Sequence, residues 1–258
     1  MFIYNKAGIN LTSQKKHLVA GRLQQVVKRL NLSSFEDYYR SLKSDKKGIL
    51  TTELIDKIST NHTFFNREKK HFDLFRETIL PDVVKRSKGV DIKIWCAAAS
   101  TGEEPYMLAI LQNEVFKNLG FNLKVKFLAT DISTEALIKA KQGIYNAERV
   151  ISISKSMLNT YFNRLDNGKY QVIDSVRTQI LYKRFNLMDK FPFKGKFDII
   201  FARNVMIYFD NDTKARLVQK FYDYLNPGGY LFIGYSESLD KKSSRFIVKD
   251  HSLFQKPY

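Results

Sequence analysis

Two adjacent carboxylates stand at the start of a predicted helix, in the segment IWCAAASTGEEPYMLAI (94–110). The small residues before Glu103 and Glu104 allow the backbone to turn tightly and to approach a ligand. The turn is neither GxGxxG nor GxxxxGK[ST], and two acids would repel a phosphate, so dinucleotides and nucleoside triphosphates fit poorly. The acids could act only as favourable charges at the helix N-terminus. The functional alternative is that one of them binds an ammonium or a neutral polar group.

A third acid, Asp131, ends the next predicted strand, KVKFLATD (124–131). In open parallel sheets ligands bind beyond the carboxyl ends of the strands, and an acid at this place typically binds ribose hydroxyls. Capping of the following helix is the alternative role for Asp131. A ribose-binding acid beside a turn unsuited to phosphate favours S-adenosylmethionine over NAD, because S-adenosylmethionine carries a sulfonium, an amine and a carboxylate but no phosphate.

The segments that must position these acids show two kinds of periodicity. Apolar residues recur at helical spacing over 13–30, 35–42 and 50–58, which predicts a small all-helical domain. In the first of these helices Arg22 and Arg29 fall opposite the apolar stripe and predict a basic outer face. Further along the chain strands and helices alternate, which predicts a parallel sheet covered on both faces.

We therefore predict a helical domain over residues 1–60 and an α/β domain over residues 61–258. The alternation breaks over 145–182, where DNGKYQV predicts a hairpin turn and a strand, so this segment is interpreted as a small β insertion. NPGG is expected to end a helix, and FIVKDHSLFQK to form a final hairpin. The predicted strands cover 90–95, 124–131, 197–201 and 230–235, and the predicted helices of this domain cover 104–116, 134–142 and 213–224.

Composition narrows the class of protein. The chain has 258 residues, of which 44% are hydrophobic, enough to fill a sizeable core. No apolar run approaches the about 18 residues needed to cross a bilayer, and the first residues lack the pattern of a signal peptide. The single cysteine favours a reducing compartment, so a cytoplasmic location is expected. The net charge of +17 would attract nucleic acid, an anionic membrane or an acidic protein surface, or would only promote solubility.

The chain resembles the CheR family of chemotaxis receptor methyltransferases in five segments: NHTFFNRE (61–68), WCAAASTGEEPYMLAI (95–110), ATDISTEALIKAKQGIY (129–145), FDIIFARNVMIYFD (197–210) and NPGGYLFIGYSESL (226–239). GINLTSQKKHLVAGRL (8–23) is similar to the helical domain of that family. The resemblance implies a Rossmann-like S-adenosylmethionine-dependent methyltransferase domain with a small β insertion, preceded by an all-helical domain. It also implies methylation of glutamate side chains on receptor helices, giving glutamate methyl esters and S-adenosylhomocysteine.

The resemblance assigns roles to particular residues. Arg67 would bind the methionine carboxylate, Glu103 the amino group, and Asp131 the ribose of S-adenosylmethionine. Tyr208 would face the transferred methyl, and Arg67 and Tyr208 are the expected catalytic residues. Asn66 departs from the family pattern, in which an aromatic residue is more common. The other expected cofactor contacts are Asn61 and Thr63, Asn186 and Leu187 around the adenine, and Arg203 and Asn204 at the sulfonium end.

Methyl transfer from a sulfonium to a carboxylate is an in-line displacement, and a glutamate is already ionised at neutral pH, so no general base or metal is required. Catalysis is expected to come from alignment of the reacting groups. His62 and His71 are accordingly expected to be structural or solvent-facing. The expected partners are cytoplasmic helices of chemotaxis receptors, with no nucleic acid and no membrane insertion, and the enzyme is expected to be a monomer.

Two other functions remain open. A nucleic-acid methyltransferase would suit the net charge, but enzymes that methylate base amines usually carry an Asn/Asp-Pro-Pro-aromatic turn where this chain reads ARNVMIY (202–208). A non-catalytic, cofactor-sensing adaptor of the same fold is the second alternative. Every expected cofactor position is occupied, which argues against loss of the binding site.

Overall fold

A computed structural model describes residues 2–11, 15–121, 123–239 and 244–258. The apolar sides of its first helices form a core of their own around buried Leu23, Val26 and Leu54. The predicted helices over 35–42 and 50–58 are confirmed, and the predicted start of the first one at residue 13 lies outside the described residues. These helices are α1 (Phe2–Ala7), α2 (Lys16–Arg29), α3 (Phe35–Lys43) and α4 (Ile49–Ile58), of which α1 has no counterpart among the predicted elements.

The basic side of α2 faces α4 as well as solvent. Arg22 donates to the backbone oxygens of Ile58 and Ser59, at 3.2 and 3.4 Å, at the end of α4. Arg29 pairs with Glu53 at 2.6 Å. Carbonyl groups at a helix C-terminus lack intrahelical partners and favour a nearby cation, so Arg22 joins the two helices. The predicted basic outer face is therefore partly used inside the helical bundle.

A helical stretch with no counterpart among the predictions leads from these helices to the sheet. It consists of α5 (Lys70–Leu74), a π-helical turn (Phe75–Ile79) and α6 (Leu80–Ser87). The remaining elements are β1 (Ile92–Cys96), α7 (Glu103–Leu119), β2 (Val125–Asp131), α8 (Thr134–Gln142), β3 (Ile144–Tyr145), α9 (Ala147–Val150), α10 (Lys155–Tyr161), β4 (Phe162–Arg164), β5 (Tyr170–Val172), α11 (Asp174–Arg177), β6 (Ile180–Arg184), β7 (Phe197–Ala202), a 3₁₀ turn (Met206–Tyr208), α12 (Asn211–Tyr224), β8 (Leu225–Ile233), β9 (Ile247–Asp250) and β10 (Leu253–Gln255).

The main sheet has seven strands in the order β6-β2-β1-β7-β8-β10-β9. The first five are parallel, and β9 and β10 form the predicted antiparallel hairpin at one edge. Side chains alternate across β1, so Ile94 and Cys96 join one buried core while Trp95 joins the core on the opposite face. The chain leaves β1 towards β2 on one side, whereas β7 lies on the other side. The carboxyl end of β1 is therefore the switch point at which a ligand is expected.

The segment in which strands and helices cease to alternate forms a second, three-stranded antiparallel sheet in the order β3-β5-β4. With its short helices it occupies 144–177, whereas β6 pairs with β2, so the predicted limit of the insertion at residue 182 falls inside a strand of the main sheet. NPGG does not form a loop after α12 but lies inside β8. Gly228 adopts φ 72° there, and the pairing of β8 with β7 shifts in register. The predicted end of the helix at residue 224 is confirmed, whereas the strand predicted to begin at residue 230 begins earlier, at Leu225, and includes NPGG.

Candidate active site

A cavity of about 300 Å³ opens at the carboxyl ends of β1, β2 and β7. Its walls come from the N-terminal helices, from the segment between α4 and α5, and from the loops that follow the three strands. A cavity of this size is typical of small-molecule sites. Of the predicted site residues all but Glu103 line it: Asn61, Thr63, Arg67, Asp131, Asn186, Leu187, Arg203, Asn204 and Tyr208.

The turn after β1 separates the two adjacent acids. Ser100 and Gly102 adopt left-handed backbone conformations, with φ of 48° and 97°, and α7 begins at Glu103. A side chain at position 102 would come within 3.0 Å of neighbouring side chains, so glycine is required there. Successive residues of a helix point about 100° apart. Of the two acids only Glu104 lines the cavity.

Glu103 is fully buried and turned away from the cavity. Its carboxylate forms an ion pair with Arg149 and accepts a hydrogen bond from Thr101 Oγ1 at 2.6 Å. Glu103 thus ties the start of α7 to the insertion. The structure does not bring Glu103 to the cavity, and Glu104 occupies the position that was expected of its neighbour.

Glu104, Arg203 and Glu68 form a charge cluster on the cavity wall. Arg203 lies 2.6 Å from Glu104 and 3.2 Å from Glu68, and it also donates to the backbone oxygen of Arg67. Burial raises the pKa of Glu104, while the Arg203 guanidinium opposes that rise. Because both terminal nitrogens of Arg203 bind protein oxygens, this residue chiefly holds Glu104 in place.

Asp131, at the end of β2, is a buried acid that lines the cavity. Its two carboxylate oxygens accept hydrogen bonds from the backbone N–H groups of Ser100 at 2.8 Å and Ser133 at 2.9 Å. The residue that caps α8 is Ser133, whose Oγ accepts from the backbone of Ala136, so capping is not the role of Asp131. A carboxylate oxygen has two lone pairs, which leaves acceptor capacity for a ligand. Burial raises the pKa of Asp131 against the effect of its hydrogen bonds.

The segment 61–68 crosses from the helices to the sheet and brings Asn61, Thr63 and Arg67 to the cavity. Arg67 donates to the backbone oxygen of His62 at 2.5 Å, which uses only part of its guanidinium. Asn66 adopts φ 60°, a conformation that asparagine tolerates better than an aromatic residue does. Its side chain donates to a backbone oxygen of the insertion at 2.7 Å. Asn66, which departs from the expected pattern, therefore has a local structural explanation.

Another part of the cavity lining is apolar and comes from Phe185, Leu187 and Ile9. Asn186 donates to the backbone oxygen of Lys6 at 2.7 Å, which joins the loop after β6 to α1. The N-terminal helices therefore complete the cavity rather than lie apart from it. An apolar lining of this kind suits the aromatic ring of a ligand.

Tyr208 lies where the helices meet the loop after β7. Its hydroxyl donates to the backbone oxygen of Thr60 at 3.2 Å, and Lys15 Nζ lies 5.5 Å from the centroid of its ring. Burial raises the pKa of Tyr208, and the positive charges of Arg67 and Arg22 oppose this rise. Arg67, Arg22 and Lys15 thus place positive charge near Tyr208, and the Glu237 carboxylate is an opposing negative charge.

Two family models together match nearly the whole chain. Residues 1–59 match the model described as CheR methyltransferase, all-alpha domain, and residues 61–253 match the model described as CheR methyltransferase, SAM binding domain. The chain belongs to the CheR methyltransferase family. It is 45% identical to the chemotaxis protein methyltransferase of Borreliella burgdorferi, over 95% of this chain and 89% of that one. It is 38% identical to the probable chemotaxis protein methyltransferase of Rhizobium etli, over 91% of this chain and 89% of that one.

Membership of the CheR family makes this protein an S-adenosylmethionine-dependent methyltransferase, and it confirms the predicted all-helical segment followed by a Rossmann-like α/β fold. The cavity fits the cofactor: it offers acids for an amine and a ribose, unused arginine donors for a carboxylate, and an apolar lining for adenine. Among the described residues no group of three or more His, Cys, Asp and Glu side chains is arranged to hold a metal ion. Within the same residues no helix is both long enough and apolar enough to cross a bilayer.

Two acids of this CheR site have no counterpart among the predicted site residues. Glu68 bonds both Arg203 and the side chain of Asn204, and Glu237 bonds the backbone of the loop after β7. Both stand inside segments that resemble the family, in NHTFFNRE and GYSESL. The loop after β7, which both acids contact, is distant from them in sequence. The sequence motifs therefore include Glu68 and Glu237 but do not indicate which residues they bind.

Proposed function

We propose that this enzyme transfers the methyl group of S-adenosylmethionine to glutamate side chains of chemotaxis receptors, giving glutamate methyl esters and S-adenosylhomocysteine. The observation that carries the proposal is the charge arrangement of one cavity, with the half-buried Glu104 at the start of α7, the buried Asp131 at the end of β2, and cations near Tyr208. The acids suit a positively charged cofactor without phosphate. The cations suit an acidic acceptor.

In this proposal each part of the cofactor has a partner in the cavity. Glu104 binds the ammonium of the methionine moiety, the role first expected of Glu103, and Arg67 binds the carboxylate through its free donors. Asp131 accepts hydrogen bonds from the ribose hydroxyls. Asn61 and Thr63 complete the polar wall, and Asn186 and Leu187 frame the adenine.

S-adenosylmethionine supplies a methyl group activated by a sulfonium. The acceptor glutamate is ionised at neutral pH, so the protein needs no general base and contributes mainly alignment. Glu68 holds the Asn204 side chain at 3.0 Å, and the backbone of Thr60 holds the Tyr208 hydroxyl. These two cavity residues are thereby fixed beside the position proposed for the acceptor.

The acceptor is proposed to approach across the helical domain, residues 1–60. Lys15 and Arg22 belong to that part of the chain and lie near Tyr208. A glutamate-rich cytoplasmic helix of a receptor would be attracted by these cations and by the net charge of +17. We propose accordingly that the enzyme works in the cytoplasm as a monomer on a protein acceptor, without inserting into the membrane.

Incubation with receptor-containing membranes and methyl-labelled S-adenosylmethionine tests this function. The expected result is alkali-labile label in the receptor bands, which mass spectrometry locates on glutamate side chains. Label on RNA or DNA, together with a gel shift that weakens steeply with salt, would instead support a nucleic-acid methyltransferase. Tight cofactor binding without transfer to receptors of the same organism would support the non-catalytic adaptor.

A further inference from the structure

Glu237 is a buried carboxylate in the turn after β8, and it does not line the cavity. One of its oxygens accepts hydrogen bonds from the backbone N–H groups of Met206 at 2.7 Å and Ile207 at 3.2 Å. The other accepts from the N–H groups of Gly234 at 2.6 Å and Asn204 at 2.9 Å. Both oxygens of a single side chain are thus engaged by backbone donors.

Three of these donors belong to the loop after β7, residues 203–208, which carries the cavity residues Arg203, Asn204 and Tyr208. Little regular structure supports this loop: Asn204 has φ 57°, and only a short 3₁₀ turn follows. A side chain at Gly234 would come within 2.2 Å of Asn204 Nδ2, so Asn204 lies directly on the turn that holds Glu237. The position of the loop therefore depends on that turn.

We propose that Glu237 is a positioning residue for methyl transfer, whose carboxylate fixes the loop 203–208 and so sets Asn204 and Tyr208 relative to the reacting groups. This inference rests on the proposed function. Alignment errors of about 1 Å can lower a rate about a hundredfold. A residue that holds three backbone N–H groups of the loop therefore controls turnover without touching the substrate.

The glutamine variant separates this role from simple packing. Glu237→Gln keeps the size of the side chain but replaces one acceptor oxygen by an NH₂ group, which faces two backbone donors. Arg67 and Asp131, which are proposed to bind the cofactor, are held by other parts of the chain. Arg203, which holds Glu104, directly follows β7, and its N–H group is not among those bonded to Glu237. Turnover should therefore fall while affinity for the cofactor remains.

The experiment measures kcat for methyl transfer to receptor membranes and, by calorimetry, the Kd of S-adenosylhomocysteine. For Glu237→Gln we expect kcat to fall by at least about tenfold, with Kd changed by less than about threefold. Glu237→Asp keeps both acceptor oxygens on a shorter side chain. It should also lower kcat, by a smaller factor, and leave Kd nearly unchanged. It also supplies the measurement if the glutamine variant does not fold.

Val176→Ala is the matched control for lost stability, because Val176 is fully buried in the insertion, away from the cavity. It should keep kcat close to the wild-type value at a temperature at which it is folded. A folded Glu237→Gln or Glu237→Asp variant with wild-type kcat overturns the inference, as does a Kd that rises in proportion to the loss of kcat. Those results leave the proposed function intact, whereas a wild-type enzyme that methylates no receptor overturns both proposals.

Discussion

The carboxylate of Glu104 lies 2.6 Å from the guanidinium of Arg203 on the cavity wall, whereas its neighbour Glu103 is buried against Arg149 on another side of the same helix turn. Two consecutive acids of one motif thus have different partners in different parts of the fold. Glu104 joins the loop after β1 to the loop after β7. Glu103 joins α7 to the insertion.

This difference predicts that two matched substitutions affect different quantities, cofactor affinity in one case and stability in the other. Glu104→Gln should weaken binding of S-adenosylhomocysteine by about 2 kcal/mol, roughly thirtyfold in Kd, because it removes a charged partner of the ammonium. Glu103→Gln should lower the free energy of unfolding by about 1–3 kcal/mol, since it leaves Arg149 without its partner, and should leave Kd nearly unchanged. Calorimetry and urea unfolding of both variants check the assignment, which an unchanged Kd for Glu104→Gln would contradict.

Cofactor binding should also depend on pH through Glu104. Burial raises the pKa of this carboxyl, so it becomes protonated at a higher pH than an exposed glutamate does. The protonated form cannot pair with an ammonium, and affinity for S-adenosylhomocysteine should therefore decline on acidification, beginning at a higher pH than an exposed glutamate would give. The Glu104→Gln variant should bind weakly with a flatter pH dependence. A steep decline that persists in this variant would assign the titration to another group, such as Asp131.

Arg67→Ala should weaken cofactor binding by ~2–3 kcal/mol, the range for loss of a charge-assisted hydrogen bond. Among the described residues its guanidinium has one hydrogen-bond acceptor, the backbone oxygen of His62, so the change should affect the fold little. Arg67→Lys keeps the charge and should recover part of the affinity. A loss smaller than about tenfold in calorimetry would contradict the proposed contact with the methionine carboxylate.

The α/β fold could be predicted because its strands and helices leave recognisable patterns in short stretches of sequence. Buried parallel strands such as β7 leave continuous apolar runs, and helices such as α8 leave periodic ones. The elements without a counterpart among the predictions depend on distant contacts. NPGG ends a helix as predicted, but it also lies in a strand, because the backbone of Gly228 pairs with that of Lys256, which is distant in sequence. The six-residue α1 is too short to show a clear period.

It could be predicted which residues lie at the candidate site, but not how their side chains are oriented. Asp131 and Tyr208 line the cavity as expected, because strand ends and the loops after them meet at one edge of a parallel sheet. Which of two adjacent acids faces the cavity depends on where α7 begins, and a shift of one residue rotates the side chains by about 100°. The function of Glu68 and Glu237 depends on partners far away in sequence, which a local pattern does not contain.

His71 should make the fold sensitive to acid. Burial and the nearby Arg203 lower its pKa to about 3, from the ordinary value of 6.5. The unfolded chain therefore binds a proton at His71 as pH falls below about 6.5, while the folded protein does not, and the free energy of unfolding decreases towards about pH 3. His71→Gln can keep a hydrogen bond to Ser252 but has no charge to gain. Urea unfolding between about pH 7 and about pH 4 should show a weaker pH dependence in this variant, and equal slopes would contradict the prediction.

Tyr208→Phe should separate turnover from cofactor binding. The hydroxyl bonds the backbone of Thr60, and its removal frees the side chain where the acceptor is proposed to sit, without altering Glu104 or Asp131. We expect kcat for receptor methylation to fall about tenfold or more, while the Kd of S-adenosylhomocysteine stays within about twofold of the wild-type value. Single-turnover transfer to receptor membranes measures the first quantity and calorimetry the second. If Kd rose and single-turnover transfer kept its rate, Tyr208 would belong to the cofactor contacts and the acceptor would have to be placed elsewhere in the cavity.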